Sequence, residues 1–254
     1  MLAIDKPAGW MLAPEEWQET GRNLFAALTS SIRAGDFWAR SRNLKYLRHV
    51  HRLDADTSGV LLMAKSPGAL AAYGRLFESR QVEKIYLAVV QNEPKQGAWV
   101  CRLRLAADPK KVGIMKVDAK AGKETETHFR VLQTGLDAKG GRISLILARP
   151  ITGRTHQIRV HLAESGTPVI GDRLYGDLDR SPDDCSNSGM PKTGASTRQA
   201  SRARQDARLA LRAVKLSYAN PFTRRQIRVL APADQFLSEH GLGEIPDRFH
   251  DLIL

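Results

Sequence analysis

Apolar residues along this chain recur at two spacings, and each spacing predicts a different kind of element. Continuous apolar or branched runs at residues 60–64 and 84–90 are too short for helices and read as buried strands. A shorter run at 1–4 reads as a strand closed by the turn residues Pro7 and Gly9. Residues 99–105 alternate: Trp99, Cys101, Leu103 and Leu105 face one way and Val100, Arg102 and Arg104 the other. That pattern predicts one half-buried strand with a basic outer face. Residues 125–134 and 142–148 form a further strand pair through Gly140-Gly141, and 215–218 with 226–230 another through Asn220-Pro221.

Helical spacing appears in four places. Leu24, Leu28 and Ile32 repeat over residues 23–34, ahead of Gly35. Pro67 opens a second helix to about residue 79, with Leu70, Tyr73 and Phe77 on one face. Thr155 and Gly166 cap a third of roughly ten residues. A short fourth, over 234–240, is stopped by Gly241. The Lys-rich stretch 110–123 reads as a solvated loop. Residues 181–206 are rich in Ser, Gly, Asn, Pro, Thr and Arg, with almost no large apolar residue, and read as a disordered insertion. There are no internal repeats. Strands and helices interleaved in this way predict an α+β fold in a single domain over residues 1–254. A monomer is expected, and the first strand starts so early that no separate N-terminal module is expected before it.

Charge narrows the partner. With 39 Lys+Arg against 27 Asp+Glu the formal net charge is +12, which points to a polyanion, most simply nucleic acid. No stretch has the apolar length of a membrane span or the layout of a signal peptide. Cys101 and Cys185 lie far apart without metal-type spacing, as in a reducing cytoplasm.

The candidate chemistry lies in two stretches. In His51-Arg52-Leu53-Asp54-Ala55-Asp56-Thr57-Ser58-Gly59-Val60, one carboxylate sits among cations and just ahead of a buried strand. Nearby positive charge favours an ionised Asp54, and a turn leading into a strand is a rigid place to aim it. An isolated Arg-Leu-Asp is more commonly a capped surface turn. In Arg149-Pro150-Ile151-Thr152-Gly153-Arg154-Thr155-His156-Gln157-Ile158-Arg159-Val160-His161-Leu162, polar residues crowd the start of a helix, a place suited to phosphate or carboxylate. Other chemistries fit poorly. His156 and His161 point about 140° apart on a helix and cannot easily share an ion. Ser58 lacks a Gly-x-Ser-x-Gly context, and no phosphate-loop or dinucleotide motif occurs. No metal site is predicted.

Both stretches resemble signatures of the RluA-type pseudouridine synthases: His-Arg-Leu-Asp-x-x-Thr-Ser-Gly and Gly-Arg-Thr-His-Gln-Ile-Arg-x-His-Leu, the latter followed by Gly171-Asp172-Arg173-Leu174-Tyr175-Gly176. Lys84-Ile85-Tyr86-Leu87-Ala88 is similar to the family's Lys-x-Tyr-x-Ala, although Gln91-Asn92 stand where a Gly usually follows. The resemblance implies a central mixed, mostly antiparallel sheet flanked by helices, with the cleft across its middle. It implies isomerisation of uridine to pseudouridine in structured RNA, ribosomal or transfer, without cofactor. Asp54 would be catalytic, either attacking the sugar or base or removing a sugar proton. Tyr86 would stack on the uracil and serve as a general base, and Arg159 would pair with Asp54. Arg52 would fill the space of the flipped base, with His51, Arg154 and His156 contacting RNA. A non-catalytic RNA-binding protein on the same scaffold and a uracil-releasing hydrolase are the rivals.

Overall fold

The computed structural model of the protein describes residues 1–12, 21–138, 140–176 and 208–253. The predicted insertion at 181–206 lies outside these described residues.

Nine strands form one sheet. Its path runs β1 (Leu2–Lys6), β3 (Ser58–Ala64), β10 (Leu211–Ala219), β4 (Glu83–Gln91), β9 (Arg142–Pro150), β8 (Thr127–Leu136), β5 (Ala98–Cys101). β2 (Arg48–His49) adds to β3, and β11 (Gln226–Leu230) to β10. All pairings are antiparallel except β3 with β10, where Arg212 lies opposite Ser58 and Ala213 opposite Gly59. The expected mixed, mostly antiparallel sheet is therefore present, with β4 and β9 at its centre. Six consecutive residues in each, 85–90 and 143–148, are buried. That is why 85–90 read as an unbroken apolar run and 143–148 as one broken only by Ser144: both faces of these strands are covered.

β3 shows how the two faces divide. Leu61 and Met63 point into the main core with Leu24, from α1 (Leu24–Ala34). Val60 and Leu62 point to the other face, against Ala72 and Tyr73 of α3 (Pro67–Glu78). α1 begins at Asn23, whose side chain accepts from the Ala26 N–H, and ends at left-handed Gly35. α3 packs through Ala69, Ala72, Tyr73, Leu76 and Phe77; its apolar stripe is thus rotated from the predicted Leu70-Tyr73-Phe77 line. α2 (Phe37–Arg40) follows α1, and α5 (Asp234–Glu239) and α6 (His250–Ile253) follow the last strand.

Two expectations are corrected. Residues 99–105 are not one strand: β5 pairs with β8, while Leu105 starts β6 (Leu105–Ala107) in a separate hairpin with β7 (Met115–Val117). The predicted alternation is real, with Cys101 and Leu105 buried and Arg102 and Arg104 exposed. A period of two identifies the inward side but not the partner strand. For the same reason the Lys-rich loop contains β7, whose Met115 and Val117, with Ile114, pack around Leu105, Val160, Ala163 and Tyr175.

Gly59 makes the parallel contact possible. Its φ is +110°, and a Cβ there would lie 2.0 Å from the Ala213 carbonyl oxygen. Gly59→Ala is expected to destabilise the fold by about 3 kcal/mol, because the obstacle is backbone that cannot swing away. Urea unfolding of the variant checks this; a wild-type midpoint would contradict the close approach.

Candidate active site

Asp54 lies in the loop between β2 and β3, and buried polar groups hold that loop on several sides. Lys6 is wholly buried at the end of β1, and its Nζ donates to the carbonyls of Ala55 at 2.7 Å, Trp10 at 2.8 Å and Pro7 at 3.0 Å. Burial lowers its pKa to about 8, against the opposing pull of the Asp56 and Asp54 charges. The Gly9 N–H also donates to the Ala55 carbonyl, and the Thr57 N–H to that of Asp54. His51 is stacked on Phe77, ring centroids 4.6 Å apart, and its Nε2 accepts the Leu62 N–H at 3.1 Å. This ring edges the cleft, but its acceptor nitrogen is bound to β3; His51 fastens the loop instead of offering that nitrogen to RNA.

Arg159 comes from α4 (Gln157–Glu164), and its main partner is not the predicted one. Its Nε and Nη2 each donate at 2.7 Å to the two carboxylate oxygens of Asp172. Asp172 Oδ1 also accepts from the N–H groups of Leu174 and Tyr175. Only Nη1 faces Asp54, 3.7 Å from Oδ2. A planar fork engaged on two of its three nitrogens is fixed in direction, so Asp172 aims Arg159 at Asp54. His156 reaches the same oxygen from the other side, its Nε2 3.9 Å from Oδ2.

The start of α4 departs from expectation as well. His156, not Thr155, is its N-cap, in the left-handed region at φ 53° and with no side-chain capping bond. The polar residues here are largely internal. Gln157 Oε1 accepts from the Thr152 hydroxyl and the Arg154 N–H, while its Nε2 donates to the Glu126 carbonyl and Thr127 Oγ1. His161 is wholly buried between Thr125 and Thr127. Since the Thr125 hydroxyl is used on the Leu103 carbonyl, His161 Nε2–H donates to it and Nδ1 accepts from Thr127. This network joins α4 to β8 and sets the helix from which Arg159 projects.

Burial keeps both structural imidazoles neutral: His161 titrates near about 4, and His51 near about 3, where the Lys84 charge adds to the burial. In the unfolded chain each takes a proton near 6.5. The unfolded state therefore binds more protons below that pH, and stability present above it is lost as the solution is acidified. Each should contribute up to about 1.4 kcal/mol per pH unit. Denaturant melts between about pH 6.5 and 5 should show this slope; a flat profile would mean these rings charge freely.

Tyr86, on β4, is buried and lines the same cleft. Burial, and then the Asp54 charge, push its phenol pKa up. A phenol held protonated is available for stacking and for donating a hydrogen bond. It is not a resting phenolate.

The cleft has a volume of about 400 Å³. Arg52, Arg80, Lys84, Arg154 and Arg159 border it, against the carboxylates of Asp54 and Glu78. Arg52 and Arg154 are exposed there. Among the described residues, Lys84 Nζ donates to the Thr152 carbonyl, at 3.4 Å, and burial and the Arg80 charge lower its pKa to about 8. Such a cleft attracts a polyanion toward Asp54, a side chain capable of nucleophilic or base chemistry. The structure therefore brings Asp54, Tyr86, Arg159, Arg52, Arg154 and His156 to one place. Sequence reasoning missed Lys84, Asp172 and Tyr175 as site residues, although all three lie inside the matched signatures.

A family model described as RNA pseudouridylate synthase matches residues 1–164. The ribosomal large subunit pseudouridine synthase C of Haemophilus ducreyi is 33% identical over 239 residues, covering 93% of this chain and 64% of that protein. The dual-specificity RNA pseudouridine synthase RluA of Vibrio vulnificus is 30% identical over 179 residues, covering 70% and 67%. This chain spans about half to two thirds of the length of the bacterial synthases it matches. The structure of human RNA pseudouridylate synthase domain containing 1 superposes with a TM-score of 0.69 at 24% identity, covering 99% of this chain and 89% of that one. The fold is that of the pseudouridylate synthases.

Proposed function

The chain belongs to the RNA pseudouridylate synthase family, as an RluA-type member, and from that premise we propose that it isomerises uridine to pseudouridine in structured RNA. The observation that carries this reading is Asp54, its side chain 19% exposed in a cationic cleft with Arg159 and His156 both facing Oδ2. Binding RNA alone requires cations and aromatic rings. A carboxylate held in place among them works against binding and makes sense as chemistry, so the non-catalytic alternative has no support.

In the reaction the N1–C1′ bond breaks, the uracil turns, and a C5–C1′ bond forms. The C5 proton leaves and N1 gains one, so no redox partner or water is consumed. Asp54 is the group that acts on the nucleoside, by attack or by taking a sugar proton. Arg159 orients it, Tyr86 stacks on the uracil, and Arg154 and Lys84 meet the backbone phosphates. Arg52, on the same loop as Asp54, occupies the space the base vacates. The names of several relatives make large-subunit ribosomal RNA the first substrate to assay; transfer RNA, the other class expected from the sequence, is the second.

The experiment is tritium release from RNA carrying 5-tritiated uridine, with the product nucleosides separated. Label in water together with pseudouridine is the expected result; free uracil would mean hydrolysis, and neither would end the proposal. Arg52→Ala should slow turnover about tenfold or more on a base-paired target and clearly less on an unpaired one, because base flipping costs a few kcal/mol only where a stack must be broken. Equal slowing on both RNAs would remove Arg52 from this role.

A further inference from the structure

His156 is the member of the Asp54 cluster that stands on strained backbone. Its φ of 53° is a conformation in which Asn, Asp and His are the better tolerated side chains. A reason for holding a histidine there comes from its hydrogen bonds. The Met115 N–H, on β7, donates to the Tyr175 hydroxyl oxygen at 2.9 Å. That phenol keeps its own proton, since burial raises its pKa. The proton has His156 Nδ1 before it, 2.9 Å away. Nδ1 is therefore the acceptor. The imidazole is held neutral chiefly by burial, with the Arg159 charge acting the same way against the pull of Asp54. Its one proton then sits on Nε2, the nitrogen 3.9 Å from Asp54 Oδ2.

We propose that His156 is a positioning residue whose Nε2–H is a permanently oriented donor to Asp54 Oδ2, with Tyr175 and the Met115 N–H fixing its tautomer. At 3.9 Å the contact is longer than a hydrogen bond, and catalytic hydrogen bonds often tighten only when substrate binds. Arg159 Nη1 faces the same oxygen from 3.7 Å. Both donors converge on Oδ2, which leaves Oδ1 as the oxygen that meets the nucleoside. The β6–β7 hairpin thereby acquires a purpose: it supplies the N–H that orders Tyr175.

The activity half of this inference rests on the pseudouridine synthase reading, and the tautomer half does not. In the full chain labelled with 15N-histidine, His156 should show near neutral pH the nitrogen shifts of an Nε2–H imidazole, and Tyr175→Phe should convert them to a mixture. A proton on Nδ1 in the wild-type protein would overturn the proposal whatever the activity. A Gln side chain places an amide N–H where Nε2 was; Asn reaches only to the position of Nδ1 but suits left-handed backbone better. His156→Asn should lower kcat about 10- to 100-fold at unchanged KM for RNA, and His156→Gln should restore much of that loss. Melting temperatures should rank the other way, Asn above Gln. Gln no better than Asn in kcat would make the role structural and end the proposal. If the Gln variant does not fold, Tyr175→Phe decides: kcat should fall with KM unchanged, and wild-type kcat would refute it. A wild-type protein inactive on RNA would remove the proposed function, with the tautomer still read from the spectrum.

Discussion

Asp54→Asn should lower tritium release from 5-tritiated uridine RNA by about 10⁴-fold or more, because the substitution removes the one group assigned to act on the nucleoside. The shape is kept. Stability should also be kept, since the loop is held through backbone contacts to Lys6, Gly9 and Thr57 and not through the Asp54 carboxylate. The side chain's own partners, Arg159 and His156, stand 3.7 and 3.9 Å away, too far for strong hydrogen bonds. RNA affinity should stay the same or tighten, as one of the two carboxylates bordering the cleft becomes neutral while its five cations remain. The combination is diagnostic: turnover lost, melting temperature unchanged, binding no weaker. Substantial residual turnover would exclude Asp54 as the acting group. Weaker binding would mean that the carboxylate contacts RNA instead of transforming it.

Much of this molecule was legible in its sequence, and the parts that were not share a physical cause. β3 and β4 announced themselves because strands covered on both faces are apolar at nearly every buried position. α1 was bounded by Asn23 and Gly35 because each satisfies helix-end groups by a local rule. Asp54 stood out because its motif is long and its charge is contrary to its surroundings. The failures concern partners. Alternation showed which side of residues 99–105 is buried, but not that β6 leaves β8 for β7. The polar residues at the start of α4 read as a place for phosphate or carboxylate, since a buried polar network and a polar binding face have the same composition. A lysine is read as exposed by default, and Lys6 is buried only because three carbonyls converge on its ammonium group. Arg159 was correctly placed facing Asp54, but its closer partner, Asp172, was not foreseen. Asp172 is 13 residues further on, past the end of α4, and no local pattern connects the two.

The Arg159–Asp172 pair carries the second large effect. The Arg159 and Asp172 side chains are 4% and 0% exposed, so each charge depends on the other. Arg159→Ala should cost about 3–5 kcal/mol of stability, since it leaves a buried carboxylate with only the Leu174 and Tyr175 N–H groups for company. Adding Asp172→Asn should return a good part of that loss, because the neutral amide still accepts those two N–H groups and no longer needs a counter-charge. Activity should not return, as no guanidinium then faces Asp54. Asp172→Asn alone is the sharper test. Arg159 keeps its charge but loses the bidentate grip that leaves only Nη1 for Asp54. The freed fork is then able to turn and take both oxygens of Asp54 itself, including the one needed by the nucleoside. Asp172→Asn should therefore lower single-turnover tritium release at least about 100-fold with Arg159 intact. Urea melts and single-turnover assays on the two single variants and the double variant separate these effects. Full activity in Asp172→Asn would mean that Arg159 needs no second carboxylate to aim it. Unchanged stability in Arg159→Ala would mean that the buried pair is not the brace its geometry describes.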